Sequence, residues 1–260
     1  MCFYMVDKEK KELNSNMNKQ DILYIIAPAY NEEENISNFI NNWYPIIKKY
    51  NGNGLSRLVI INDGSKDKTY EIAQKHMNNK PLLEVIDKEN SGHGSTILYG
   101  YNYAIKNNAD YIFQTDTDGQ TIPNEFHQFW KLKKQFDIVI GHRNKREDGL
   151  SRVFVSKVLK LVIKLTFKVN VVDANTPFRL MSRKTLEDSL KLIPKDFNLS
   201  NVILSVIYIK KNYKVKYIPI TFKPRQGGKN SINLKKIIKI GSRAWKDFVN
   251  INKVLKKEKL

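Results

Sequence analysis

Tyr111-Ile112-Phe113-Gln114-Thr115-Asp116-Thr117-Asp118-Gly119-Gln120 governs how the rest of the chain is read. Its apolar start, Tyr111-Ile112-Phe113, reads as a buried strand running out into a loop. Beyond it Asp116, Asp118 and Gln120 fall at i, i+2 and i+4, on one side of an extended chain. Two carboxylates and an amide oxygen so gathered are hard ligands suited to Mg²⁺ or Mn²⁺, ions that usually hold phosphate oxygens as well. Taken alone the same residues also read as a turn, because Asp and Gly are common there.

Upstream, strand, polar loop and helix recur. Ile22-Leu23-Tyr24-Ile25-Ile26-Ala27 reads as a buried strand that turns at Pro28-Ala29-Tyr30-Asn31 into a helix beginning near Glu32-Glu33-Glu34, where acidic residues suit the positive end of the dipole. Leu58-Val59-Ile60-Ile61 repeats the pattern, ending at Asn62-Asp63-Gly64-Ser65-Lys66-Asp67 before a helix over Thr69 to Met77. Leu82 to Ile86 supplies a third strand, followed by Asn90-Ser91-Gly92-His93-Gly94 and a helix to about Ile105. Buried, non-alternating strands between helices predict an α/β fold with a mostly parallel sheet covered on both faces. Ligands in such sheets bind at the carboxyl ends of the strands, where all four polar clusters lie. Each loop by itself is ordinary turn chemistry; their joint placement predicts a nucleotide-sized site.

The second half brings a strand at Phe136 to Gly141, the basic run His142 to Arg146, and an amphipathic helix within Val153 to Val172 with Lys157, Lys160, Lys164 and Lys168 on one face. Asp173 through Arg179, a helix from Leu199 to Lys210, a strand-like Lys214 to Phe222 and the loop Pro224 to Ser231 follow. The expected organisation is a flexible segment at 1–20, one domain at 21–232 (a donor half to 120, an acceptor half from 121), and a basic amphipathic helix at 233–260. That tail either docks on anionic lipid or packs on its own domain.

Composition narrows the partners. The 260 residues, 41% of them hydrophobic, suffice for a real core. A formal net charge of +19 attracts something anionic: nucleic acid, lipid surface or phosphorylated small molecule. Cys2, the single cysteine, excludes an internal disulfide and suits a reducing cytosol. His76, His93, His127 and His142 show no zinc-site spacing. No apolar run approaches the ~20 residues of a membrane span. No RNA-binding sheet motif accompanies Tyr99, Tyr101 and Tyr103, so no nucleic-acid partner is expected.

In order and spacing, Pro28-Ala29-Tyr30-Asn31-Glu32, Asn62-Asp63-Gly64-Ser65-x-Asp67, the glycine-containing loop and Asp116-x-Asp118 resemble the nucleotide-sugar domain of glycosyltransferase family 2, the GT-A fold, over roughly Ile22 to Ser231. Within it the pattern is most similar to the polyprenyl-phosphate (dolichyl-phosphate) sugar synthases, through Gln120, Arg143, Arg152, Ser156, Asp173 to Arg179 and the late Arg-x-Gly-Gly-x-x-Ser loop. The resemblance implies an inverting, metal-dependent transfer from a nucleotide-diphosphate sugar to a lipid-linked phosphate, peripherally at the cytosolic face of a membrane. A saccharide hydroxyl is the alternative acceptor.

By the same resemblance, Pro28, Ala29, Tyr30, Asn31, Glu32 and Asp63 hold base and ribose. Gly92, Gly94, Asp116, Thr117 and Arg179 complete the donor-binding set, and Asp116, Asp118 and Gln120 hold Mg²⁺ or Mn²⁺. Arg143, Arg152 and Ser156, with Arg225 and Lys229 also grouped among the ligand-binding residues, hold the acceptor phosphate. The usual Asp-Asp-Gly-Ser begins here with Asn62, and no carboxylate stands at Asn198-Leu199-Ser200-Asn201, where hydroxyl-modifying members place a base. A phosphate is already an oxyanion near neutral pH, so the missing acid favours a phosphate acceptor.

Overall fold

The structure is a computed structural model that describes residues 20–143, 150–224 and 234–257, with side chains over 20–143, 158–224 and 245–257. Its strands are β1 (Leu23–Ala29), β2 (Arg57–Asp63), β3 (Leu83–Lys88), β4 (Tyr111–Gln114), β5 (Ile138–Arg143), β6 (Arg179–Ser182) and β7 (Val215–Ile220). The helices are α1 (Ile36–Lys49), α2 (Thr69–Met77), α3 (His93–Lys106), α4 (Phe126–Leu132), α5 (Leu150–Phe167), α6 (Arg183–Leu190), α7 (Ser200–Lys210) and α8 (Leu234–Lys257).

The strands form one sheet in the order β3-β2-β1-β4-β6-β5-β7. β1 runs parallel to β2 and β4, β2 to β3, and β5 to β7. β6 is antiparallel to both its neighbours, β4 and β5. The carboxyl ends of β1 to β5 and β7 therefore share one edge. β6 is an addition to the sequence reading: four residues directly after a polar loop are too few to show a period. The short α4 and α6 are additions for the same reason.

Two apolar layers sandwich the sheet. α1, α2 and α4 cover one face, through Ile36, Phe39, Trp43, Ala73, Phe126 and Phe129. α3, α5, α6, α7 and α8 cover the other, through Ile97, Tyr101, Ile163, Leu186, Val202 and Phe248. Phe113 of β4 meets Phe126 edge-on at 4.8 Å and Phe178 at 4.7 Å, which pins the strand that feeds Asp116. α3 crosses the sheet closely at Gly100, where a Cβ would come within 2.4 Å of Ile26 and 2.5 Å of Ile61.

α8 buries Phe248, Ile251 and Leu255 and packs Phe248 against Phe167 of α5 at 5.4 Å. Asn252 Nδ2 donates to the Thr166 carbonyl at 2.7 Å. Each buried apolar side chain contributes about 1.5–3 kcal/mol, so among the side chains described in this helix Phe248, Ile251 and Leu255 are spent on the domain while Trp245 and Val254 stay exposed. The flexible segment expected at 1–20 lies, but for residue 20, outside the described residues.

Candidate active site at the carboxyl edge of the sheet

The first two loops are laced together. Asn31 N donates to Ser65 Oγ at 3.0 Å, Lys66 N to Asn31 Oδ1 at 2.8 Å, and Glu32 N to Thr69 Oγ1 at 2.7 Å. Asn31 manages its part at φ 54, in the left-handed region that asparagine tolerates better than most residues. Glu32, only 7% exposed, accepts from Asn35 Nδ2 at 2.8 Å. Tyr30, 40% exposed, stands open to solvent in this loop, as does the neighbouring Asn31.

Asp63 is a strut of the third loop. Its carboxylate accepts from Lys88 Nζ, from Ser91 N at 2.9 Å and from Gly92 N at 3.0 Å. Burial alone would raise its pKa; the Lys88 ammonium and the hydrogen bonds from Ser91 and Thr96 outweigh that and hold it below the ordinary carboxylate value. Both carboxylate oxygens of Asp63, expected at the base or ribose, are engaged within the chain at 3% exposure. Lys88, which also donates to Ser91 Oγ at 2.7 Å, was not singled out in the sequence, where it is one lysine among many.

Gly94 has a packing role. A Cβ there would lie 2.2 Å from the Asn198 carbonyl oxygen and 2.6 Å from that of Phe197, so the glycine makes room for the 197–198 backbone. Gly92, at φ 89, adopts a conformation that L side chains rarely take. Together they seat the start of α3 against the segment that carries Asn198, at the position where no carboxylate stands.

The β4 loop alternates as its spacing requires. Thr117, 2% exposed, turns inward and donates to the Pro28 carbonyl at 3.0 Å, bracing the first loop instead of facing a donor. Asp116 and Asp118 flank it on the other side, with Asp118 Oδ1 accepting Gln120 N at 3.2 Å. Thr115 and Thr121 join hydroxyls across the base of the loop at 3.0 Å. Gln120 Nε2 donates to the Lys223 carbonyl at 2.8 Å and the Gln120 carbonyl accepts from Lys223 N at 2.8 Å, so its side-chain oxygen is the atom suited to an ion. This ties the β4 loop to the chain leaving β7.

His93, the first residue of α3, places Nε2 at 3.3 Å from Asp116 Oδ1. Its ring is 49% exposed, yet desolvation within the cleft keeps its pKa below the ordinary imidazole value, with Asp63 acting in the opposite direction. The sequence offered one signal for it: an imidazole between two glycines in a loop already read as part of the site.

Hard oxygens of Asp116, Asp118 and Gln120 fit Mg²⁺ or Mn²⁺ in kind. Among the described residues, no three side chains of His, Cys, Asp or Glu gather closely enough to cage an ion unaided. A set of this kind suits an ion that takes one or two carboxylates and completes its shell with water and phosphate oxygens.

The expected acceptor residues fare differently. Arg143 ends β5 at the same edge, but its guanidinium is paired fork to fork with Asp173, Nε to Oδ2 and Nη2 to Oδ1 both at 2.9 Å, and lies 5.0 Å over the Phe222 ring. It enters the site as a charge-assisted pair with Asp173. Arg179, expected to bind the donor, is wholly buried and donates to the Thr176 carbonyl at 3.0 and 2.7 Å, the Asn201 carbonyl at 3.0 Å and the Ala174 carbonyl at 3.3 Å. It braces the 174–176 turn. The side chains of Arg152 and Ser156, and all of Arg225 and Lys229, lie outside the described residues.

Comparison with known proteins agrees with this architecture. The chain is 25% identical over 221 residues to an undecaprenyl-phosphate 4-deoxy-4-formamido-L-arabinose transferase of Photorhabdus laumondii, covering 83% of this chain and 64% of that protein. It is also 25% identical over 229 residues to a dolichyl-phosphate beta-glucosyltransferase of Trichomonas vaginalis, covering 80% of this chain and 68% of that one. The chain thus spans less than two thirds of the first relative's length. Glucosyl-3-phosphoglycerate synthase of Mycobacterium tuberculosis, solved with Mn²⁺, uridine diphosphate and phosphoglyceric acid, superposes with a TM-score of 0.64 at 14% identity, covering 92% of this chain and 80% of that one, which shows a shared fold. The model of glycosyl transferase family 2 matches residues 24–190, so the chain belongs to that family.

Proposed function

We propose that this protein transfers a sugar, with inversion, from a nucleotide-diphosphate sugar to a lipid-linked phosphate at the cytosolic face of a membrane, using Mg²⁺ or Mn²⁺. The observation that carries the reading is the convergence of the β1 to β4 loops on one sheet edge, with Asp116 and Asp118, both only partly buried, in the last of them. Two relatives named for undecaprenyl-phosphate and dolichyl-phosphate support the acceptor class. So does Asn198, which packs beside Gly92 where a base for a hydroxyl acceptor would be needed.

In the proposed reaction an acceptor phosphate oxygen bonds to the anomeric carbon as that carbon's bond to the diphosphate breaks. The electron pair leaves with the nucleoside diphosphate. A bound divalent ion supplies positive charge to those departing oxygens. Asp116 and Asp118 hold it, Gln120 assists through its side-chain oxygen, and Tyr30 offers an aromatic face at the mouth. Arg152, Ser156, Arg225 and Lys229 keep their assignment to the acceptor phosphate.

Membrane association is part of the proposal, and α5 supports it. Val158, Leu161 and Leu165 are 44%, 56% and 66% exposed, interleaved with exposed Lys160 and Lys164, and Leu150–Phe167 contains no acidic residue. Apolar side chains framed by lysines suit an anionic lipid surface. No described helix is long and apolar enough to cross a membrane.

Thermal unfolding with a panel of nucleotide sugars and Mn²⁺ tests the donor assignment. A donor at 100 times its Kd stabilises the native state by about 2.7 kcal/mol. Asp118→Asn should erase the divalent-dependent part of that shift without lowering the unfolding temperature of the unliganded protein. A panel in which no nucleotide sugar shifts the wild type overturns the proposal. Product that stays in the aqueous phase and survives mild acid would move the acceptor to a saccharide hydroxyl.

A further inference from the structure

We infer that the His93 imidazole is a direct ligand of the divalent ion, beside Asp116, and that it turns the site's preference from Mg²⁺ toward Mn²⁺. The inference rests on the donor and metal reading above and adds a ligand to it. Asp118 completes the protein's share through bound water.

Nε2 of His93 and Oδ1 of Asp116 stand 3.3 Å apart, which is long for a charge-assisted hydrogen bond. Two atoms bound side by side on one octahedral ion at about 2.1 Å lie about 3 Å from each other. The pair is therefore already near ligand-to-ligand spacing.

The backbone that carries the ring is held firmly. His93 begins a helix of 14 residues. The preceding Gly92 is held by its N–H to Asp63, and the following Gly94 is pressed on the Asn198 backbone. Asp116 comes from a strand end pinned by Phe113. A site assembled from such rigid elements keeps its geometry before the ion arrives.

His76 is bonded to Ser37 Oγ at 3.0 Å and His127 to Tyr50 Oη at 2.8 Å, both in the packing of the domain away from the cleft. His93 instead faces a carboxylate of the proposed ion site. Carboxylate, carbonyl and water serve both Mg²⁺ and Mn²⁺; an imidazole nitrogen is the softer ligand, and of the two ions Mn²⁺, a transition ion, accepts it more readily.

The test uses tag-free full-length protein in imidazole-free buffer, loaded with Mn²⁺ alone and with Mn²⁺ plus uridine or guanosine diphosphate in separate arms. Pulsed electron paramagnetic resonance should show nitrogen coupling from a coordinated imidazole in the wild type, lost in His93→Gln. Mn²⁺ affinity should fall about tenfold in that variant, and Mg²⁺ affinity, read by competition, less than twofold. Wild-type protein that binds Mn²⁺ without nitrogen coupling overturns this inference and leaves the donor reading standing. Wild-type protein that binds no Mn²⁺ in any arm overturns the metal reading and this inference with it. The wild-type spectrum decides even if His93→Gln fails to fold.

Discussion

Replacing Arg179 with alanine separates a structural arginine from a ligand-binding one. In the folded chain the guanidinium is the partner of three carbonyls, and they are not equally dependent on it. The Ala174 and Asn201 carbonyls also accept from Ser205 Oγ, at 3.3 and 2.9 Å. The Thr176 carbonyl takes two guanidinium bonds, at 3.0 and 2.7 Å. Arg179→Ala strips that oxygen inside a site with no exposure, which costs about 1–3 kcal/mol, and leaves a cavity the length of the side chain. Breaking a buried charged network typically costs about 3–5 kcal/mol, and the two contributions together fall in that range. At about 2 °C per kcal/mol for a chain of this size, the unfolding temperature should drop by roughly 6–10 °C. Urea unfolding followed by far-ultraviolet circular dichroism reads the loss as a lower midpoint at unchanged slope. A variant that keeps its midpoint within about 0.5 kcal/mol and instead loses donor affinity would refute the bracing role.

Three further outcomes follow from the same packing. Gly100→Ala forces a methyl against Ile26 and Ile61 and should destabilise the protein by about 1–3 kcal/mol, read by the same urea titration. Lys88→Met removes the main cation beside Asp63, whose pKa is held low in the folded state. That depression contributes stability above the unfolded carboxylate pKa of ~3.9, lost as pH falls through the folded value, so in the variant acid unfolding should begin at a higher pH; an unmoved acid midpoint would contradict the account. Leu161→Asp with Leu165→Asp should weaken flotation with anionic liposomes at least tenfold while leaving thermal unfolding nearly unchanged, since both side chains are already exposed.

Much of the architecture was legible along the chain. The strands through Tyr24, Ile60 and Ile112 are buried on both faces, and that burial writes itself as unbroken apolar runs. Thr69–Met77 was read to the residue because a polar loop and a run of asparagines bracket it. β6 was missed, since Arg179–Ser182 is short and opens on a charge whose burial only a tertiary partner makes tolerable. The loops were located correctly as loops, but the direction of their side chains was another matter. Asp63, Thr117, Arg143 and Arg179 are all polar residues near the expected cleft, and each turns its polar group to another part of the chain.

By itself the sequence determined that strands alternate with helices, and therefore that the polar loops meet at one sheet edge with Asp116 and Asp118 among them. Chain geometry compels that result, because parallel strands joined through helices must all end on the same side. Only the tertiary structure decided which groups at that edge are spent holding it together and which face outward. Those choices rest on partners far apart in the chain, such as Arg143 with Asp173 and Gln120 with Lys223, and on the closeness of His93 to Asp116. No local spacing encodes such distances; they exist only once the core has fixed where each strand ends.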